Sequence, residues 1–175
     1  MADSKTKRRD PIKNFRFRAK FAGTNEYILG ISKITGFKVA TETIKHRDGG
    51  DPATSRKLPG RTEFDPITLE RGVTTDKVFE RWANSVWSFT NAAGGLETSL
   101  KDFRRDLIVD VFNEAGQKVL SYQVFNCWVS EWQPISDLDA NANAVAIQHI
   151  KIENEGWVRE DLPEPPDDPG FTDPA

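Results

Sequence analysis

The chain has 175 residues, a length typical of one domain built around one hydrophobic core. Hydrophobic residues make up 37% and charged residues 29%, with eleven Phe and five Trp, which excludes a chain that is disordered over most of its length. The net charge of −3 gives no global reason to expect nucleic-acid binding, because neutralising phosphates requires a basic face.

Charge and proline divide the chain into three parts. Residues 1–11 contain four Lys or Arg residues and predict a flexible basic arm. Residues 161–175 are acidic and Pro-rich and predict a tail that cannot form a core. Residues 12–160 between them form the single predicted domain. No apolar stretch approaches the roughly 18–20 residues that a membrane span requires, so we expect neither export nor membrane insertion.

The first part of the domain predicts three short strands. In Phe15–Phe21 apolar residues alternate with basic ones, which is the period of a half-buried strand. A turn at Gly23–Asn25 precedes a second strand over Tyr27–Ile31, and a third extends over Phe37–Ile44.

A long segment with almost no large apolar residue follows, from Lys45 to Glu63. It contains three glycines and two prolines, and Leu58 is its one large apolar side chain. This composition predicts a loop. Loops of this length inside a compact domain are uncommon, and they either have a binding role or are mobile.

One helix is predicted, after a short strand at Pro66–Arg71. It spans Asp76–Trp87, with Thr75 in the N-cap position and apolar residues at helical spacing. The apolar stripe predicts that the helix packs on a sheet. Its apolar positions are Val78, Phe79, Trp82 and Val86.

The last part of the domain predicts a long hairpin and a final strand. The hairpin joins Asp106–Phe112 to Lys118–Trp132, and the apolar residues change parity after Val124, which predicts a bulge that bends the strand. A similar change is expected within the final strand, Ala144–Ile152. Short antiparallel strands with one helix predict a mainly β fold, an antiparallel β-barrel or sandwich with one flanking α-helix.

Residues for catalysis or metal binding are sparse. The two histidines, His46 and His149, have no Cys or His partner at zinc spacing, and Cys127 has no second cysteine to pair with. The alternating acids and amides of Asp137–Asn143 resemble a calcium loop, but Ala142 stands where that loop needs glycine. We therefore expect a protein that is not an enzyme and that binds no cofactor.

Ten short segments together resemble one known family. In this order they are similar to contractile-phage tail tube proteins, the inner tube proteins of phage tails and of extracellular contractile injection systems, over about residues 12–158. Two segments depart from the family: 87–103 is longer than its usual link between helix and hairpin, and an extension follows Leu162. The ten segments are Lys45–Gly50, Arg56–Gly60, Ile67–Gly72, Thr74–Asp76, Arg104–Asp106, Asn113–Gly116, Trp132–Pro134, Asp139–Asn141, Val145–Ile147 and Glu155–Gly156.

The resemblance implies a structural subunit of an inner tube. Such subunits form hexameric rings that stack into a hollow conduit for DNA or protein cargo, and sheath contraction drives the tube through the target envelope. The implied partners are other copies of the chain, a sheath protein, baseplate proteins and a tail terminator, with cargo passing through without sequence-specific binding. Assembly is expected in the cytoplasm of the host or producer cell, and the mature location in a virion tail or injection particle.

The resemblance also gives the segment 45–63 a task, because the corresponding region of the family reaches an adjacent ring. Its basic and acidic residues are expected to make polar contacts, Leu58 and Pro59 to be an apolar anchor, and its glycines to supply positive-φ turns. The predicted contact residues are Arg47, Asp48, Gly49, Gly50, Arg56, Lys57, Leu58, Pro59, Gly60 and Arg71.

Two other functions stay open at this point. One is a baseplate-proximal tube initiator of the same family. The other belongs to a different class, a monomeric β-barrel that holds an apolar ligand in an aromatic-lined cavity.

Overall fold

A computed structural model describes residues 11–47, 49–50, 55–86, 103–138 and 144–163. Most of the basic arm, the segment 87–102, the calcium-like residues 139–143 and the residues after 163 lie outside this part, so the three-part division of the chain stays a prediction. The described residues form one helix and nine strands: β1 Phe17–Phe21, β2 Ile31–Thr35, β3 Val39–His46, β4 Arg56–Phe64, β5 Ile67–Gly72, α1 Val78–Ala83, β6 Arg105–Phe112, β7 Lys118–Gln133, β8 Ile147–Glu153 and β9 Trp157–Arg159.

Seven strands form one antiparallel system with the order β1-β6-β7-β8-β5-β2, and β9 also pairs with β7. The first half of β7 pairs with β6 and β9, and its second half pairs with β8. One strand therefore belongs to two sheets, a first sheet of β1, β6, β7 and β9 and a second sheet of β7, β8, β5 and β2. The two sheets fold toward each other around a common core. The predicted mainly β fold with one flanking helix is confirmed.

The bend in β7 lies at Asn126. Its φ is +51°, a left-handed conformation, and the pairing with β6 shifts register between Val124 and Cys127. The backbone N–H of Asn126 donates to Asp106 Oδ1 at 2.8 Å, so the irregular position has a hydrogen-bond partner. The predicted parity change in this strand is confirmed, since Val124 and Cys127 are both buried.

The second predicted parity change, in the final strand, is wrong. β8 pairs with β5 in one continuous register, and its buried positions are Gln148, Ile150 and Ile152. Ile147 and Val145 are exposed instead. An apolar residue near a strand end need not point inward, and here the buried amide of Gln148 continues the inward face.

The core lies between the two sheets and under α1. Phe79 and Trp82 of the helix are fully buried, and the Trp82 ring meets Phe21 of β1 edge-on with ring centroids 5.0 Å apart. Ile28 is buried as well, and the other buried apolar residues come from five strands: Ala19, Ile67, Leu69, Leu107, Val109, Val124, Cys127, Val129, Ile150 and Ile152. The large aromatic rings fill the space that the aliphatic residues of the two sheets leave between them.

The helix is shorter than predicted, and its cap is different. It begins at Val78, whose N–H is accepted by Asp76 Oδ1 at 3.0 Å, while Thr74 Oγ1 accepts the N–H of Asp76 at 3.3 Å. Thr75 is therefore not the N-cap. Turns continue to Val86, and Trp87, the predicted last residue, lies outside the described residues.

Two strand predictions are wrong near the first half of the chain. Tyr27–Ile31 forms a single bridge between Tyr27 and Lys20 in place of a strand, and the second strand is β2. In the segment Lys45–Glu63, predicted as a loop, Lys45 and His46 end β3, and Arg56–Glu63 belong to β4, which pairs with β3. Nearly every residue of β4 is exposed, so it lacks the apolar alternation by which strands are recognised.

Gly36 fixes the turn that leads from β2 into β3. Its φ is +101°, and a Cβ atom there would lie 2.1 Å from the carbonyl oxygen of Pro66 and 2.9 Å from the Cα of Ile67. Both obstacles are backbone atoms, so the neighbouring strand would have to move. This contact determines how closely the start of β3 approaches β5.

Gly36→Ala should lower the free energy of unfolding by about 3 kcal/mol or more, because positive φ and a backbone clash add together. Gly23→Ala is the matched control: Gly23 also has positive φ, of +80°, but has nothing within 4 Å of an added Cβ, so its cost should be about 1 kcal/mol. Urea denaturation of both variants measures the difference. Equal losses would contradict the close approach.

Candidate assembly surface

The β3–β4 hairpin stands apart from the rest of the fold. It is a separate two-stranded sheet, and every residue of β3 is exposed. In β4 only Gly60 and Phe64 are partly covered. A two-stranded hairpin in water is marginally stable at best, because it has little apolar surface to bury. Such a hairpin needs a second surface, and within the described residues its own subunit supplies one only at its base.

The base of the hairpin is held by an aromatic cluster. The Phe64 ring meets Trp157 of β9 with centroids 6.2 Å apart, and Trp157 also meets Phe37 and Tyr122, each at 5.8 Å. The N–H of Asp65, just after β4, donates to the carbonyl of Lys38, just before β3, at 3.0 Å. The hairpin is therefore fixed in direction where it leaves the barrel.

Two apolar side chains face each other in the outer half of the hairpin. Ile44 on β3 is paired with Leu58 on β4, and their exposed fractions are 50% and 53%. Val39, near the base, is 45% exposed. Scattered exposed apolar residues are ordinary on protein surfaces, but a cross-strand pair on a projecting element is a ready anchor for another chain.

The outer end of the hairpin is basic. Lys45 is directly opposite Lys57, and His46 is directly opposite Arg56. Arg47 follows and is exposed. Like charges in directly opposite positions destabilise an antiparallel pair, so the pair Lys45 and Lys57 lowers the stability of the isolated hairpin. An acidic surface beside it would reverse that effect.

Pro59 and Gly60 lie where the register of the hairpin shifts. Pro59 is opposite Thr43, and a Cβ atom on Gly60 would come within 3.1 Å of both the Glu42 carbonyl and the Ile44 side chain. Pro is tolerated in strands at edges and bulges, which this position provides. The predicted positive-φ turns at Gly49, Gly50 and Gly60 are wrong; Gly60 instead allows a close approach between strands.

The structure brings most of the predicted contact residues together. Nine belong to the hairpin segment, and of these Asp48 lies outside the described residues. The tenth predicted contact residue, Arg71, lies elsewhere: it is fully buried on β5 and belongs to the interior of the fold. The apolar pair with Ile44 was missed, since the sequence gives no sign of which strand faces Leu58.

Arg71 is enclosed by three partners. Its Nη1 donates to Asp76 Oδ2 and its Nη2 to the Asp76 carbonyl, both at 2.8 Å. Its guanidinium carbon lies 4.1 Å from the centroid of the Phe79 ring. The Gln148 amide, with its oxygen toward the guanidinium, accepts from Nε at 2.7 Å. The hydrogen bond from Arg71 is the main reason that the pKa of Asp76 is lowered. This cluster fastens α1 to the second sheet.

The two terminal strands of the sheet order, β1 and β2, do not pair with each other. Between them is an open groove of about 560 Å³ with an apolar floor. The Ile28 N–H donates to the Ala19 carbonyl at 2.8 Å, so β1 is partly covered on its open side. Unpaired strand edges accept further strands and are normally covered or paired in a native assembly. The floor of the groove comprises Phe37, Val109, Val111, Leu120 and Tyr122.

A buried carboxylate on the first sheet was also missed by sequence reasoning. Asp110 is 1% exposed and accepts hydrogen bonds from Tyr27 Oη at 2.9 Å and Ser121 Oγ at 2.7 Å. Burial, followed by the hydrogen bond and charge of Asp110, raises the pKa of Tyr27. The position of Asp110 inside the apolar run Leu107–Val111 was the sequence feature that could have predicted a buried carboxylate. The hydrogen bonds give the carboxylate a structural role that links the 26–28 segment to the sheet.

The thiol of Cys127 is buried and poorly reactive. Burial raises the pKa of the Cys127 thiol to about 12, which removes the thiolate that a reactive cysteine needs. Among the described residues no three His, Cys, Asp or Glu side chains are grouped as a metal site. Nor does that part of the chain contain a helix with the length and apolar character needed to cross a membrane.

Comparison with known proteins gives one family and several similar folds. The family described as T4-like virus tail tube protein gp19 matches residues 13–158. A chain of the extracellular contractile injection system PVC sheath–tube complex in the extended state is similar over 87% of this chain and 93% of its own, with a TM-score of 0.67 and 23% identity. A chain of the anti-feeding prophage cap, the AFP tube-terminating cap, is similar over 88% of this chain and 93% of its own, with a TM-score of 0.69 and 24% identity. No curated protein matches at the sequence level.

Asp76→Ala should lower the free energy of unfolding by about 2–3 kcal/mol, because it leaves the buried Arg71 without its charged partner; the value is below that of a fully buried pair since Asp76 is 37% exposed. Glu70→Ala, which removes the exposed Lys33–Glu70 ion pair, should cost less than about 1 kcal/mol. Chemical denaturation compares the two, and similar losses would contradict the special role of Asp76.

The same variant has a predicted pH dependence. A folded-state pKa below the ordinary Asp value of about 3.9 means that the stabilisation is complete above that value and is lost as pH falls through the lower, folded pKa. The stability difference between the parent and Asp76→Ala should therefore be constant from pH 5 to 7 and shrink below about pH 4. A difference that grows on acidification would refute the assignment.

Proposed function

The chain belongs to the T4-like virus tail tube protein family, and from this membership we propose that it closes into hexameric rings whose stacking through the β3–β4 hairpin builds a hollow tube. The observation that carries the proposal is the exposed hairpin. It projects from a rigid base, exposes an apolar pair on its outer half, and lacks the buried area that would stabilise it alone. A neighbouring copy in the next ring would supply that area.

Ring closure has its own support in the open edges of β1 and β2. Head-to-tail contacts generate a ring when the rotation between subunits closes, and a second set of contacts between rings generates a stack. The open groove between the two edges offers apolar floor residues and two terminal strands to a copy of the same molecule in the same ring. Two different surfaces, the groove and the hairpin, would then serve two different contacts.

The proposed partners follow from the assemblies in which the similar folds occur. These are a sheath–tube complex, a tube-terminating cap and a baseplate. We place this chain in the same kind of particle, a virion tail or an injection device, with sheath, baseplate and terminator proteins as neighbours and with DNA or protein cargo in the lumen. The tube wall acts geometrically and needs no reaction, which agrees with the low reactivity of Cys127.

The family membership favours a tube subunit over a monomeric ligand-binding barrel. The groove between β1 and β2 is open along one side and bordered by strand edges. A ligand site usually encloses most of its ligand, whereas an open edge fits another strand. The initiator at the baseplate stays an alternative position for the same fold within the same tube.

Oligomerisation should depend on concentration. Light scattering coupled to size-exclusion chromatography should detect species of six subunits or more as the concentration of purified protein rises, because edge pairing and hairpin packing are both intermolecular. A protein that stays monomeric at every concentration tested, or that carries a bound metabolite, would contradict the proposal and return weight to the ligand-binding barrel.

The double variant Ile44→Asp and Leu58→Asp should leave the barrel folded and abolish long tubes. Each buried apolar side chain of this size contributes about 1.5–3 kcal/mol, and about 1.4 kcal/mol already changes an association constant tenfold, so the critical concentration for tube formation should rise more than tenfold. Sedimentation and negative-stain microscopy measure this effect.

Leu138→Asp is the control for that variant, because Leu138 is 78% exposed and lies outside the hairpin. A deletion of residues 48–61, which removes the tip and most of β4, should act like the double variant. Circular dichroism and the urea midpoint test that the barrel is intact. Tubes of normal length from the deletion variant would contradict the role of the hairpin.

A further inference from the structure

The charge of this chain is divided between its barrel and its C-terminal segment. Residues 160–175 contain six Asp or Glu residues and no Lys or Arg, whereas residues 1–159 contain 24 Lys or Arg and 21 Asp or Glu, a net charge of +3. The family match ends at residue 158, so the acidic segment is an addition beyond the matched fold. Such a segment has a ready electrostatic partner in any basic surface of another copy.

One basic cluster on a described element is the outer end of the β3–β4 hairpin. Residues 45–57 contain four Lys or Arg residues and two Asp residues. The strand register places Lys45 directly opposite Lys57, so these two positive charges are held close together by the backbone. Bringing negative charge to this end would relieve like-charge repulsion, and the effect would be strongest at low ionic strength.

The start of the acidic segment is fixed in the structure. The N–H of Glu160 donates to the carbonyl of Ser121 at 2.8 Å, and Glu160 Oε2 lies 4.0 Å from Lys118 Nζ. Glu160 comes three residues after Trp157, whose ring packs on Phe64 at the base of the hairpin. The acidic segment and the hairpin thus leave the barrel from elements that contact each other.

The length of the segment allows it to reach a neighbour. Sixteen residues in the extended conformation of Pro-rich segments span about 50 Å, at about 3.1 Å per residue, while the eight residues of β3 span about 26 Å. In a stack of rings, as proposed above, the outer end of a hairpin lies against the adjacent ring and away from its own barrel. The acidic segment nearest to it would belong to another copy.

We propose that the acidic segment 160–175 of one copy binds the basic outer end of the β3–β4 hairpin of a copy in the adjacent ring. The contact rests on the proposed stacking and adds an electrostatic latch to the apolar pair Ile44 and Leu58. Opposite charge patches mainly increase the rate and fidelity of association, so the latch would set the register between rings as well as strengthen their contact.

Charge variants of the full chain test the latch. The tail variant carries Glu164→Gln, Asp167→Asn, Asp168→Asn and Asp173→Asn, and the hairpin variant carries Lys45→Glu and Lys57→Glu. Each should raise the critical concentration for tube formation at least tenfold at 50 mM NaCl and by much less at 500 mM, because salt screens the contact. The control neutralises acids of the barrel, with Glu26→Gln, Asp137→Asn and Glu153→Gln, and should assemble like the parent.

Charge exchange tests which copy provides the tail. A tail-reversed variant carries Glu164→Lys, Asp167→Lys and Asp168→Lys. The hairpin variant and the tail-reversed variant should each assemble poorly alone but form tubes when mixed, because alternating rings then present opposite charges at each contact. If combining both sets of substitutions in one chain restores tubes while mixing does not, the tail binds its own hairpin and the proposal is overturned.

The outcomes separate this proposal from the proposed function. A tail variant that assembles like the parent, beside a hairpin variant that does not, overturns the latch and leaves hairpin stacking in place. If the parent forms no tubes, the proposed function fails, and a synthetic peptide of residues 160–175 still tests the charge contact on the tail variant. Binding that weakens at least tenfold with Lys45→Glu and Lys57→Glu supports the contact, and binding that does not weaken, or no binding, overturns it.

Discussion

A two-stranded sheet with both faces in solvent cannot bury enough apolar surface to be stable alone, and this constraint governs the whole design of the chain. The barrel fixes the base of the β3–β4 hairpin through rings at Phe64 and Trp157, but it leaves the outer half exposed. Apolar pairing at Ile44 and Leu58, and like charges at Lys45 and Lys57, both give the hairpin a reason to seek another molecule. In the proposed tube, a neighbouring copy would supply the surface that the hairpin lacks.

The barrel holds the elements from which the hairpin begins in a fixed arrangement. Strand β7 takes part in both sheets, and the left-handed residue Asn126 turns it from one to the other. The Arg71 cluster fastens the helix to the second sheet, and Asp110 holds the segment at Tyr27 on the first. Buried charged groups of this kind stabilise a fold only when all their partners are present, so both clusters specify one arrangement of the elements around the core.

The strands that hold the base of the hairpin also fix the start of the C-terminal segment. The segment after Arg159 begins beside Ser121 on the first sheet, close to the strand that supports the hairpin. Contacts within a ring and contacts between rings would therefore share the same supporting strands. If the contact within a ring displaced these strands, the hairpin and the segment after Arg159 would be misplaced for the contact between rings. Only subunits with the same strand positions would then assemble into a stack.

The sequence by itself determined the fold class and the bend in β7, because these depend on local pattern: alternating residues, a helical stripe, and a parity change that only a bulge accommodates. The family came from the resemblance of ten short segments, and the match over residues 13–158 agrees with it. The sequence also placed nine of the ten predicted contact residues between 45 and 63. The tertiary structure alone decided that Arg56–Phe64 form a strand, since β4 is exposed on both faces and carries no apolar alternation, so its conformation depends on pairing with β3. The position of Arg71 was likewise decided by packing. A buried arginine requires Asp76, Phe79 and Gln148 to meet around it, and residues from three elements meet only when the sheets and the helix are folded together.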